Sequence, residues 1–254
     1  MNLGKVKTFL IVLFLGINIY LLGSMYMSSR FFVDKDSVKA TVDILARYDI
    51  TVNEETVPDY TINLRNIDTE NTIYTENFEK DGFDISGNRF RCEIKREDKK
   101  GAGSVVKEVK SFLESSGFET RHMKFIKSDK ADTWYICGYV SGYRIFDSTI
   151  KLTVQEDKYI LSGTWFEPMS DKIRSHQRTR STVYITDVLI DMTHNENIMA
   201  NAPFEITDID YGYLAGKPYG NGNHLTASAL PYYRIKDSKG NVYYYDAQDG
   251  TYLK

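Results

Sequence analysis

Four histidines, two cysteines and a few closely spaced acids are the residues of this chain with the most chemistry in them. His122, His176, His194 and His224 are scattered, and none has another His, Cys or carboxylate at a familiar metal-ligand spacing. Each reads as a surface or internally bonded imidazole, with His224 set apart because it follows a Gly-Asn run. Asp208 and Asp210 lie two apart on an expected strand and would point the same way, as paired acid–base carboxylates must. Two solvent-facing acids are the commoner meaning of that spacing. GNGN at 220–223 lacks the spacing of a phosphate loop, and DAQDG at 246–250 lacks the alternating oxygen ligands and later Glu of a calcium loop. No GxSxG elbow is present. The expectation is a protein without catalytic residues, metal or cofactor.

Cys92 and Cys137 are too few for a disulfide-dense scaffold or a zinc site built on CxxC pairs. Cys92 sits between Phe90 and Ile94 on one strand face, and Cys137 between Tyr135 and Tyr139. Both read as core fillers, and a single bridge is the alternative.

The net charge of −3 offers no basic footprint for nucleic acid, so no nucleic-acid partner is expected. Nineteen Tyr against five Pro favour strand-rich structure, because Tyr suits half-buried pleated positions.

From Thr8 to Ser29 there is no charged residue, and eleven apolar side chains lie between Phe9 and Leu22. On an insertion scale they favour a membrane by about 3 to 7 kcal/mol. The run is longer than a signal-peptide core and no small-x-small site follows it, so an uncleaved transmembrane anchor is expected. Lys5 and Lys7 precede it, which favours a cytoplasmic N-terminus and an extracytoplasmic C-terminal domain in the plasma membrane. Within the run, Gly16 and Gly23 are seven residues apart with Tyr20 between them, and Asn18 is the strongly polar side chain. Small residues let helices approach and an amide in lipid seeks a partner, so Gly16, Asn18, Tyr20 and Gly23 are the candidate partner-binding residues.

Further along, apolar spacing predicts helices over 37–48 and 105–116, the second stopped by Gly117. FDISGNRFRCEI reads as two strands about a Gly-Asn turn, and 134–140, 144–154 and 158–166 as a strand meander. DKKGAG at 98–103 is a lead-in, and the polar stretch after Pro168 a boundary. TVYITDVLIDMTHNE (182–196) has helical spacing, although TVYIT suits a strand. Three strand-like pieces follow FEITDIDYGYLAG, with turns at Asp237–Gly240 and Asp249-Gly250. The expected fold class is α+β: one N-terminal transmembrane helix, then antiparallel sheets with packed helices in two similar halves. The expected boundaries are 1–30 for the cytoplasmic stub and anchor, 31–168 for the first half and 169–254 for the second.

The opening KVKTFLIVLFLGINIYLL resembles the anchor of the YycI branch of the YycH/YycI regulatory proteins, with Asn18 at the position of that family's intramembrane Asn. ITDIDYGYLAG through LPYYRIKDSKGNVYYYDAQDGTYL resembles the family's C-terminal module. Pro231 and Tyr233 match its Pro-aromatic strand, where many members have Trp; the same ending also resembles PepSY-type modules. The matched segments cover about a third of the chain. The resemblance implies an accessory regulator of an essential cell-wall two-component system in a Gram-positive-type bacterium. Its implied partners are a membrane sensor histidine kinase of the YycG/WalK type and a sister regulator of the YycH type, met through transmembrane and extracytoplasmic contacts. The alternative is an extracytoplasmic PepSY-type binding module that inhibits a peptidase or another envelope enzyme.

Overall fold

The structure is a computed structural model. It describes residues 3–28, 30–62, 64, 66–71, 82–86, 89–96, 102–169, 182–216 and 225–253. In chain order the elements are α1 (Leu3–Ser28), β1 (Arg30–Phe32), α2 (Lys35–Ala46), β2 (Ile50–Val52), β3 (Tyr60–Ile62), β4 (Ile67–Asn71), β5 (Phe83–Ser86) and β6 (Arg89–Lys95). Then come α3 (Ala102–Ser115), β7 (Met123–Lys127), β8 (Thr133–Val140), β9 (Tyr143–Val154), β10 (Lys158–Thr164) and β11 (Phe166–Pro168). The chain continues with α4 (Ile185–Met192), α5 (Glu196–Met199), β12 (Phe204–Ala215), β13 (Leu225–Asp237) and β14 (Val242–Asp246).

Strands dominate. Twelve of them form one mixed sheet whose central path runs β11-β4-β13-β12-β9-β10-β6-β5, with β14, β2, β7 and β8 joined to it, and β1 pairs β3 separately. The expected α+β class with purely antiparallel sheets and two similar halves is therefore corrected to a mostly β fold. The physical reason lies in strand length. β9, β12 and β13 are 12, 12 and 13 residues long. Strands of that length change partners along their course, which joins pieces that a local reading separates. β12 runs parallel to β2 at Phe204–Ile206 and parallel to β9 at Tyr213. The helix expected within 182–196 is the eight-residue α4, beside the 14 residues of α3.

The expected membrane anchor is corrected as well. Among the described residues no helix is long and apolar enough to cross a membrane. α1 itself runs for 26 residues, among them 10–24. Those side chains are exposed, Tyr20 at 74%.

Two compact units share the chain. One comprises residues 1–64, 179–209 and 235–254, the other 65–178 and 210–234. In the first, α2 turns Val38, Thr41 and Leu45 inward at three- and four-residue spacing. Its N-cap is Asp34, whose side chain makes no capping bond. In the second, Val105, Val109 and Leu113 of α3 form one stripe against the sheet. They meet Phe90 and Cys92 of β6, Ile136 of β8, Ile150 and Leu152 of β9, and Tyr159 and Leu161 of β10. Gly117 ends that helix at φ +91°, a conformation that glycine adopts without a Cβ penalty.

Candidate interaction surface

The residue types singled out by sequence are dispersed by the fold. His122 Nδ1 lies 3.1 Å from the Tyr139 carbonyl, and its Nε2 lies 3.7 Å from Glu119. His194 follows Thr193, the C-cap of α4, and its backbone N–H donates to the Asp191 carbonyl. His176, His224 and the GNGN run lie outside the described residues, as do Gly87 and most of the DKKGAG lead-in. Among the described residues, no group of three or more His, Cys, Asp or Glu could hold a metal.

Asp208 and Asp210 are both half-buried on β12, and Asp210 is held in an ion pair by Arg234. Arg234 in turn lies 5.3 Å over the Phe146 ring. DAQDG is a turn: Asp246 accepts from Gln248 N, Asp249 accepts from Thr251 N, and Gly250 takes φ +78°.

Both cysteines are free and buried. Burial pushes the Cys92 thiol up to about 12 and raises that of Cys137, so neither is a thiolate near neutrality. They occupy opposite faces of the sheet. Cys92 belongs to the core under α3. Cys137 follows Ile136 of that core and therefore points the other way.

Gly16, Asn18, Tyr20 and Gly23 all lie on α1. Asn18 Nδ2 donates to the Phe14 carbonyl of its own helix at 2.9 Å. A Cβ at Gly16 or Gly23 would meet nothing within 4 Å.

In the first unit a cavity of about 520 Å³ opens beside α2. Val33, Val38, Val57 and Pro58 form its apolar wall, with Lys35, Glu54, Glu55 and Asp59 around it. Among the described residues its lining includes no histidine, cysteine or serine.

A larger feature emerges from register. β5, β6, β10, β9, β8 and β7 are consecutive antiparallel neighbours. Alternation sends every second side chain to the face away from α3. Pairing aligns Lys124 with Cys137, Tyr135 with Lys151, Tyr139 with Arg144, Lys151 with Ser162, Ser162 with Arg91, and Arg91 with Asp84. Lys158 is opposite Lys95, and Arg89 lies two residues before Arg91. Arg89, Arg91, Lys95, Lys124 and Lys151 are exposed, and Arg144 and Lys158 half-buried, whereas the carboxylates that these six strands bring to this face are, among the described residues, Asp84 and Glu93. Tyr135, Ile126, Ile160 and a Ser/Thr row of Thr149, Ser162 and Thr164 fill the space between the charges.

Most of these charges have no ion-pair partner among the described residues. Glu93 accepts from Lys158 at 2.8 Å and from Arg91 at 3.2 Å, and these donors hold its carboxyl below the usual value. Lys124 lies 4.0 Å over the Tyr139 ring, a cation–π contact that leaves its charge in place. Arg89, Lys95 and Lys151 make no ion pair among the described residues. Arg144 donates weakly to Thr149 at 3.4 Å, while its buried Nε has no hydrogen-bond partner among the described residues. Sequence reading missed this face because its members come from six strands. The signal available was the polar half of each alternating strand.

No family model matches the chain, and no curated protein matches it. Among matching solved structures is an uncharacterized protein of Eubacterium rectale, 8% identical, with a TM-score of 0.45 over 81% of this chain and 90% of that one. At that score the likeness is too weak to argue fold or function from.

Proposed function

We propose that the protein is a non-enzymatic accessory regulator that binds other proteins, acting on a sensor histidine kinase of the YycG/WalK type together with a sister regulator of the YycH type. The observation that carries the reading is the contrast between the two faces of the second unit's sheet. One is sealed by α3 over a core of Val109, Leu113, Ile136 and Leu161. The other presents exposed cations and Tyr135 to the surroundings. Arg and Tyr are enriched at protein interfaces, where a planar guanidinium or a ring gives contact area at low entropic cost. The resemblance of 206–253 to the C-terminal module of the YycH/YycI proteins supports the choice of partner. An extracytoplasmic position, beside the kinase's sensor domain, follows from the same reading.

The test is affinity capture of the tagged full chain from the native cell, with kinase-dependent transcription measured in a deletion strain. Co-purification of the kinase and altered transcription are expected. Recovery of an envelope peptidase with unchanged kinase output would replace this reading with the PepSY-type alternative.

A further inference from the structure

We infer that the open face of the β5–β6–β10–β9–β8–β7 array is a docking surface for an acidic, extended segment of a partner protein. The inference rests on the interaction reading above and names its partner chemistry.

The chain as a whole carries −3, yet this face carries a clear excess of cations, so the positive charge is local and the remainder of the molecule is acidic. Such segregation attracts an oppositely charged partner and sets its register. Same-face side chains along a strand are about 6.6 to 6.8 Å apart, the spacing at which a second extended chain presents its own alternate side chains. Arg89, Lys95 and Lys151 lack ion pairs among the described residues, which leaves their charge for an incoming carboxylate.

A peptide fits this surface better than a uniform polyanion. Asp84 and Glu93 interrupt the cations on the β5–β6 side, where a phosphate backbone would meet repulsion and a peptide can place a neutral residue. Exposed Ile126 and Tyr135 offer apolar contact that a polyphosphate cannot use.

The experiment is fluorescence anisotropy of the full chain with a labelled peptide of alternating Glu and Thr. Saturable binding is expected, weakened by added salt. The Arg89→Glu/Lys124→Glu/Lys151→Glu variant should weaken it about tenfold or more, whereas Lys107→Glu on α3 should leave it unchanged. If the triple variant fails to fold by circular dichroism, Lys151→Glu alone is read, with about a threefold loss expected. Equal loss with Lys107→Glu, or no loss in the face variants, overturns the inference. Oligo(dT) or phosphatidylglycerol vesicles binding more tightly than the peptide overturns it in favour of a nucleic acid or a lipid surface. Self-association abolished by the face variants assigns the surface to a second copy and also overturns it. Peptide binding retained while the kinase fails to co-purify would refute the kinase reading and leave this surface standing.

Discussion

The Tyr159 hydroxyl donates to Glu108 at 2.7 Å, tying the start of β10 to α3. Tyr159 is 1% exposed, and Arg96 lies 5.8 Å over its ring. Removing the hydroxyl keeps the ring, its packing and the cation above it, and deletes one bond to a carboxylate. Tyr159→Phe should cost about 1.5 to 3 kcal/mol, read as a lower midpoint with unchanged slope in urea unfolding. An unchanged midpoint would mean that the bond makes no net contribution.

Several phenols should ionise only with unfolding. Burial, followed by the Glu108 bond, pushes Tyr159 up to about 12, and burial with the Asp237 bond does the same for Tyr243. Burial also raises Tyr213 and Tyr245. A group whose folded pKa lies above its unfolded one contributes stability that is complete below the unfolded value, here 10.0. That contribution is lost as pH rises from there through the folded value. Stability should therefore fall steadily above pH 10, and the phenolate absorbance beyond that of the exposed tyrosines should appear only with loss of the circular dichroism signal. Full phenolate absorbance in the folded protein would contradict this.

Asp237 is the polar hub of the β13–β14 turn. Its carboxylate accepts from the backbone N–H of Lys239 at 3.0 Å and of Asn241 at 2.8 Å, from Asn241 Nδ2 at 2.8 Å and from the Tyr243 hydroxyl at 2.9 Å. Burial alone would raise its pKa, but these donors outweigh burial and leave it lowered. Its contribution is present above its ordinary value of 3.8 and is lost as pH falls below that. Asp237→Ala should cost about 3 kcal/mol, because four donors lose their acceptor together. The penalty should shrink in acid, which a pH series of thermal melts will show.

The two thiols should remain unbridged and unreactive in the folded protein. β10 and β9 separate β6 from β8, which puts Cys92 and Cys137 three strand spacings apart, about 14 Å. A disulfide needs Cα atoms within about 7 Å. The mass of protein isolated without reductant should be that of the dithiol, with alkylation by iodoacetamide rapid only in denaturant. A mass lower by a lost hydrogen pair would refute this.

Local chemistry was legible in the sequence because local chemistry decides it. Gly240 and Gly250 sit at φ +88° and +78° in the two expected turns, where a residue without a Cβ enters the left-handed region freely. α3 and the β8–β9–β10 meander fall where period and turn residues put them, since their pairing partners are adjacent in sequence. The burial of Cys92 followed from Phe90 and Ile94 on the same strand face.

Only the tertiary structure decided what depends on residues far apart. Nothing in FEITDIDYGYLAG announces that its start runs parallel to Ile50–Val52 and that Tyr213 lies opposite Ile145. Parallel pairing has no connecting turn to signal it. Alternation gives each strand two faces, but only packing chose which of them α3 covers. It placed Ile136 in the core and turned Cys137 away on the side of Tyr139 and Arg144. The same choice gathered Arg89, Lys124 and Lys151 from three separate strands onto one uncovered surface, because a sheet aligns side chains across strands that lie far apart along the chain.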